Sequence, residues 1–280
     1  MKEFAGKVAV ITGGASGIGR AMAERFAAEG MKVVLGDIEQ TALDKAVTEL
    51  KAKGFESAGL RTDVSKAEDV EALAKHAVDT FGAVHIACNN AGVGMGGSAW
   101  QHSIKDWEWM LGVNLWGVIH GIRTFVPLML AQGDECHIVN TASGAGIHVR
   151  PFLGMYAATK HAVVGVSEAL YHDLKLTGSK IGVSVLCPNT VNTRIGESER
   201  NRPEVLQDDQ PAGNPAQMAA MEQAFRAALA AGMEPADVAA AVLAAIKDGR
   251  FWILTQEEAR NRVRARVEDM LGDGKPRMMA

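Results

Sequence analysis

Thr12-Gly13-Gly14-Ala15-Ser16-Gly17-Ile18-Gly19 lies between an apolar run at 7–12 and a helical pattern near 17–29. A strand, a glycine-rich turn and a helix in that order predict a phosphate cradle. Glycine lets the backbone turn tightly and approach a ligand closely, and the helix N-terminus offers free N–H donors and positive potential. A lone glycine motif is weak evidence, but here the strand and helix that it needs are both present. Asp37 closes the second apolar run, 18 residues beyond Gly19. A carboxylate there accepts hydrogen bonds from adenosine ribose hydroxyls and repels a 2′-phosphate. Ile38 and Glu39 follow it, with no Arg or Lys alongside. The expected ligand is therefore NAD rather than NADP.

The rhythm around this turn continues along the chain. Apolar runs at 32–36, 56–61, 85–89, 137–140, 182–187 and 251–254 alternate with helical patterns near 40–53, 66–80, 104–131, 154–177 and 235–248. Several runs lack period-two alternation, as expected for strands covered on both faces. The alternation predicts an α/β fold, a doubly wound parallel sheet, in a single domain spanning 1–280. Only 194–235 breaks the pattern, with Pro203, Pro211, Pro215 and Pro235 among many polar residues. Met218, Met221, Phe225 and Leu229 are spaced as one helical stripe within it. The insertion follows the sixth strand, at the ligand end of such sheets, so a substrate lid is expected there.

Composition narrows the partners. The chain has 280 residues, 48% of them hydrophobic, and a net charge of −4, which argues against nucleic acid and anionic membrane surfaces. No stretch reads as apolar enough to span a bilayer, and the N-terminus shows no signal-peptide pattern. Cys88, Cys136 and Cys187 are far apart in apolar surroundings and read as reduced core residues of a cytoplasmic protein. The eight histidines show no metal-ligand spacing, so no metal is expected. Arg260, Arg262, Arg264 and Arg266 alternate with acidic residues and read as a solvated, self-paired helix face. His161, which follows Lys160, reads as a packing residue.

Three residues separate Gly13 from Gly17, and in this spacing the motif resembles that of the short-chain dehydrogenase/reductase family, which implies a Rossmann fold. Asp63-Val64 resembles the family's adenine-contacting pair. Asn89-Asn90-Ala91-Gly92 resembles the segment that steadies the central sheet and lines the cofactor. Asn114, Ser143, Tyr156 and Lys160 fall in the order of its catalytic tetrad. Pro188, Val191 and Thr193 fit its nicotinamide-contacting segment, but Asn189 stands where the family has glycine. Asn tolerates a left-handed backbone, so the turn is expected to survive, with its side chain toward the substrate or the nicotinamide. By this resemblance Gly13, Ser16, Gly17, Ile18, Gly19, Asp37, Asp63, Val64, Asn90, Ala91, Gly92, Tyr156, Lys160, Pro188, Val191 and Thr193 hold the cofactor, and the protein is a homodimer or homotetramer. Trp107, Trp109 and Trp116 read as core or interface residues.

Tyr156 and Lys160 are four apart and share a helix face. A cation about 4 Å from a phenol is worth roughly 4 kcal/mol at an effective dielectric near 20, enough to bring a pKa of about 10 toward about 7. The family's chemistry then has Ser143 and Tyr156 hold a carbinol oxygen, Tyr156 take its proton, and hydride pass to the nicotinamide. Lys160 holds the ribose, and Asn114 anchors a water that leads to Lys160. Met95, Trp100, His148, Met155, Asn189, Met218, Met221 and Phe225 are candidate substrate contacts. Their apolar majority suggests a bulky aryl, alicyclic or steroid-like secondary alcohol, oxidised with NAD. A biosynthetic carbonyl reductase of the ketoacyl type remains an alternative, and a non-catalytic NAD(H)-binding regulator another.

Overall fold

Seven short apolar runs become the strands of one parallel sheet. The computed structural model describes residues 1–207, 215–272 and 274–278, and for 215–219, 221 and 222 the backbone alone. Strands β1 (Val8–Thr12), β2 (Lys32–Asp37), β3 (Ser57–Arg61), β4 (Ile86–Asn89), β5 (Cys136–Thr141), β6 (Ile181–Cys187) and β7 (Trp252–Leu254) lie in the order β3-β2-β1-β4-β5-β6-β7. Every neighbouring pair is parallel. This is the expected doubly wound, Rossmann-type sheet in one domain.

Both faces are covered, which explains the unbroken apolar runs. Ala9, Ile11, Val33 and Leu35 pack on Met22 and Phe26 of α1 (Gly17–Ala28), Leu43 and Leu50 of α2 (Gln40–Ala52), and Val242 and Ile246 of α8 (Pro235–Asp248). Val8, Val10 and Val34 face the other way, toward Val70 and Leu73 of α3 (Ala67–Phe81), Phe125 and Met129 of α5 (Gly117–Gln132), and Leu174 of α6 (Gly154–Leu176). The chain leaves β1 toward one edge of the sheet and β4 toward the other. The loops after these two strands therefore diverge and open a crevice at their carboxyl ends.

The helix expected over 104–131 is continuous but not uniform. α4 (Ile104–Leu111) and α5 are joined by a π turn, Gly112–Trp116, with Asn114 at its centre. Contrary to the sequence expectation, the run 104–132 is long and apolar enough to cross a membrane by length and composition. In the fold, however, Val118, Phe125, Val126 and Met129 of this run pack into the core.

The insertion after β6 begins as two 3-10 turns, Arg194–Asn201 and Glu204–Leu206, followed by α7 (Pro215–Ala230). Its first part is anchored to the body. Arg202 and Asp106, each 7% exposed, form an ion pair at 2.7 Å. The Arg202 guanidinium also lies 5.3 Å from the Trp109 ring, and its Nε donates to the Leu206 carbonyl. Asp106 caps α4 through a reciprocal box with Ser103. Burial works to raise the Asp106 pKa, but the Ser103 N–H, Arg202 and His102 outweigh it and hold the carboxyl below its ordinary value. The contribution of this pair is thus fully present above the ordinary carboxylate range and is lost as pH falls below that range through the lowered pKa. Removing one partner of a buried pair costs about 3 kcal/mol or more. Arg202→Ala is expected to lose about that much in urea unfolding, and a loss under about 1 kcal/mol would show that the pair is not an anchor.

Candidate active site

Thr12 organises the crevice. Its hydroxyl accepts from the backbone N–H groups of Asn90 and Ala91 at 2.9 and 3.1 Å, tying the end of β1 to the loop after β4. The Asn90 side chain completes the link, donating to the Thr12 carbonyl at 3.0 Å and accepting from Thr141 on β5. Asn89 donates to Asn140, which donates to Ser167 of α6. Three strands and the catalytic-site helix are thereby held in one register.

The glycines occupy the places that the turn requires. Gly13 and Gly17 have φ of 64° and 53°. A Cβ on Gly19 would lie 2.1 Å from the Gly13 carbonyl oxygen. Ser16 precedes α1 without capping it, so the first-turn N–H groups remain available for an anion. Asp37 closes the far side, its Oδ2 accepting from Ala15 N at 3.0 Å and its Oδ1 from Glu39 N at 3.1 Å. Burial raises the Asp37 pKa, offset in part by those two N–H groups. The sequence placed no cation near Asp37, but the insertion supplies one. Arg200 pairs with Glu39 at 2.9 Å, and Asn201 donates to the same carboxylate.

One cleft of 1220 Å³ contains the residues expected to act on substrate and cofactor. Its walls include Gly13, Ser16, Gly17, Ile18, Asp37, Asp63, Val64, Asn90, Ala91, Gly92, Ser143, Tyr156, Lys160, Pro188, Val191 and Thr193. Gly19 lies behind it, packed on Gly13, and Asn114 is fully buried beneath it. The Asn114 side chain exchanges two 2.9 Å hydrogen bonds with the Val93 backbone, which pins the π turn under the loop after β4. A Cβ on Gly92 would lie 3.3 Å from Asn114 Oδ1 and 3.5 Å from Lys160 Nζ, so this loop sits directly over both.

Tyr156 and Lys160 do share a helix face, but the electrostatics differ from the sequence expectation. Lys160 Nζ donates to the Thr141 carbonyl at 3.0 Å and lies 5.7 Å from the centre of the Tyr156 ring. Burial raises the Tyr156 pKa, and a hydrogen bond with Ser143 lowers it only in part. Burial also brings Lys160 down to about 8. Burial is the largest cause of both shifts, so Lys160 alone does not bring the phenol toward neutrality. Ser143 is fixed in turn, accepting from Ala145 N at 3.1 Å.

Asn189 does not adopt the left-handed backbone: among the described residues only Phe152 does so without being glycine, at φ 63°. Gln256 holds the turn instead, accepting from Asn189 N at 2.9 Å and donating to the Thr190 carbonyl at 3.1 Å. The Asn189 side chain lies against Gly144 and reaches His148 at 3.5 Å. Met95, His148, Asn189 and Phe225 line the cleft, whereas Trp100 is 85% exposed outside it. Met155 is wholly buried against Val93, Trp109 and Met110 and cannot be a pocket residue. The side chains of Met218 and Met221 lie outside the described residues. Trp109 is buried while Trp116 is half exposed, stacked on His120. Phe152, Leu153 and Leu206 also line the cleft and carry no motif that would single them out in the sequence.

With this geometry in view, the chain belongs to the short-chain dehydrogenase family: residues 7–204 match the family's model. It is an oxidoreductase of that family. A solved short-chain dehydrogenase/reductase from Burkholderia phymatum, in complex with NAD, superimposes with a TM-score of 0.95 and 46% identity, covering 100% of both chains. A CLA biosynthesis dehydrogenase/reductase of Lactiplantibacillus plantarum is 34% identical over 99% of this chain and 97% of its own. The cyclohexanol dehydrogenase of an Acinetobacter species is 38% identical over 69% of this chain and 76% of its own.

Proposed function

We propose that the protein is an NAD-dependent dehydrogenase that oxidises a bulky, largely apolar secondary alcohol of aryl, alicyclic or steroid-like kind to the ketone. The observation that carries this reading is one cleft walled by Ser143, Tyr156 and Lys160 at one end and by the glycine turn and Asp37 at the other. The donors fit a dinucleotide: the uncapped N–H groups at the start of α1 would hold a pyrophosphate and the Asp37 carboxylate a ribose diol. NAD when bound supplies the hydride acceptor and a positively charged ring beside the phenol. Ser143 and Tyr156 hold the carbinol oxygen between their hydroxyls, and Tyr156 takes its proton. Lys160, held on the Thr141 carbonyl with its Nζ 5.7 Å from the centre of the Tyr156 ring, adds a positive charge on the side of the ionised phenol. Asn114 fixes the floor under Lys160 and, by the family likeness, anchors the water through which protons leave.

Met95, Trp109, Phe152, Leu153, Leu206, Phe225 and Leu229 give the substrate end an apolar lining, and the cyclohexanol relative supports an alicyclic substrate. The segment 194–235 then acts as a substrate lid, its first part held to the body by the Arg202 anchor. Ile104, Trp116, Leu130 and Leu176, exposed on α4, the π turn, α5 and α6, support a homodimer or homotetramer built on these helices.

The test is a panel of cyclohexanol, 1-phenylethanol, a hydroxysteroid and 2-propanol, read by NADH absorbance. Turnover of the bulky alcohols is expected. NADH binding without turnover of any alcohol would overturn the proposal. Phe152 gives a finer test. A left-handed phenylalanine costs about 1–2 kcal/mol, and its ring is half exposed on the cleft wall. Phe152→Gly is expected to keep or raise Tm while raising KM for cyclohexanol about tenfold and leaving 2-propanol unchanged. Destabilisation with unchanged KM would mark Phe152 as a packing residue.

A further inference from the structure

Helix α9 (Glu257–Leu271) carries four arginines that the sequence cannot tell apart, and the structure separates them. Arg260 pairs with Glu257 at 3.3 Å, and Arg264 reaches Asn261 at 3.5 Å, both at the surface. Arg262 pairs with Glu258 at the rim of the cleft. Arg266 turns inward. Its Nη1 donates to the Ile147 carbonyl at 2.9 Å and lies 2.7 Å from Nε2 of His161. His161 Nδ1 is 2.8 Å from the Ala157 carbonyl, which can only accept. Nδ1 therefore carries the proton, and Nε2 offers its lone pair to Arg266.

Both contacts fall on the elements that carry the proposed chemistry. Ile147 belongs to the tight turn that follows Ser143, held by Gly146 N to Ser143 O at 2.8 Å and Ile147 N to Gly144 O at 3.0 Å. His161 follows Lys160 on α6, just over a turn beyond Tyr156. The proposed chemistry needs the Ser143 and Tyr156 hydroxyls to hold one oxygen between them, so these two elements must keep a fixed separation, and one guanidinium nitrogen bridges them. At the start of α9, Gln256 performs the same service for the Asn189–Thr190 backbone, the other loop bordering Ser143.

We propose that Arg266 is a positioning residue, and that α9 is the brace that holds the Ser143 turn against the Tyr156 helix. This rests on the function proposed above. The glycine turn and Asp37 lie on the other half of the sheet and make no contact with Arg266, so its removal leaves the pyrophosphate and adenosine ends of the cofactor site in place. Small misplacement of reacting groups costs between about tenfold and a hundredfold in rate. Arg266→Ala is expected to lower kcat on cyclohexanol about tenfold, with KM and NADH affinity within about twofold.

The comparison uses the intact enzyme in four forms: Arg266→Ala, Arg266→Lys, His161→Gln and Arg260→Ala. Hydrogen exchange at the amides of residues 146–148 is expected to speed up in Arg266→Ala and, less strongly, in His161→Gln. Arg266→Lys, which keeps a donor, recovers part of the rate, as does added guanidinium ion with Arg266→Ala. Arg260→Ala changes nothing. Wild-type kcat or wild-type exchange in Arg266→Ala overturns the proposal, as does an equal loss in Arg260→Ala. Should Arg266→Ala fail to fold, wild-type kcat and exchange in His161→Gln overturn it. A wild-type enzyme that oxidises no alcohol sinks the proposed function instead, while the exchange comparison still decides the brace.

Discussion

Tyr156→Phe is expected to lose at least about a hundredfold in kcat while NADH affinity stays within about twofold, since general acid–base catalysis supplies about 10²–10⁴ in rate. The substitution removes one oxygen from a helix face and leaves the ring that packs beside Met155. The glycine turn, Asp37 and Lys160 are untouched, so dinucleotide binding has no reason to change. What disappears is the hydroxyl that, in the proposed mechanism, takes the proton from a carbinol oxygen held at Ser143. Because burial raises the phenol, its ionised form is scarce until a positive charge is added beside it. Oxidation in the wild type should therefore quicken as pH rises through the range in which the phenol ionises, and Tyr156→Phe should lose that dependence. The check is a pH profile of kcat for both proteins with cyclohexanol. Activity of Tyr156→Phe within tenfold of wild type, on the same profile, would take the phenol out of the mechanism.

The glycine turn was readable because its requirement is local. Gly13 and Gly17 sit at positive φ, and only a few residue types tolerate that, so composition and spacing report the geometry directly. The sheet was readable for a similar reason, each strand being apolar on both faces. Asn114 was placed by likeness, but its π turn was not foreseen: the five residues 112–116 look helical, and what draws them out is a pair of bonds to Val93, distant in sequence. Asn189 was read as a left-handed substitute for glycine, when a glutamine 67 residues further on holds the turn in an ordinary backbone. Arg266 and Arg200 were hidden for the same reason. A charge among charges reads as a solvated face, and only the fold shows which one faces a carbonyl, a histidine or the carboxylate beside Asp37. The electrostatics of Tyr156 and Lys160 went astray because helical spacing gives proximity but not desolvation, and burial dominates here.

The preference for NAD over NADP should exceed about a hundredfold in kcat/KM, and Asp37→Asn should bring it within about tenfold. A unit charge pair about 5 Å apart at an effective dielectric near 20 repels by roughly 3 kcal/mol, about two decades, and a 2′-phosphate carries more than one charge. Asn keeps the shape and can still accept from Ala15 N, so the glycine turn survives while the repulsion goes. Glu39 is the second control. It occupies Arg200, whose guanidinium already bears on Asp37 across the same corner of the cleft. Adding Glu39→Gln to Asp37→Asn frees that guanidinium for the phosphate and should raise NADP efficiency again, whereas the double variant with Arg200→Ala should not show the second gain. Acid should act in the same direction as Asp37→Asn. Burial makes Asp37 take up a proton before exposed carboxylates do, so the preference narrows as pH falls. An Asp37→Asn enzyme with the wild-type ratio would remove this carboxylate from cofactor choice and shift the discrimination to the shape of the adenosine pocket.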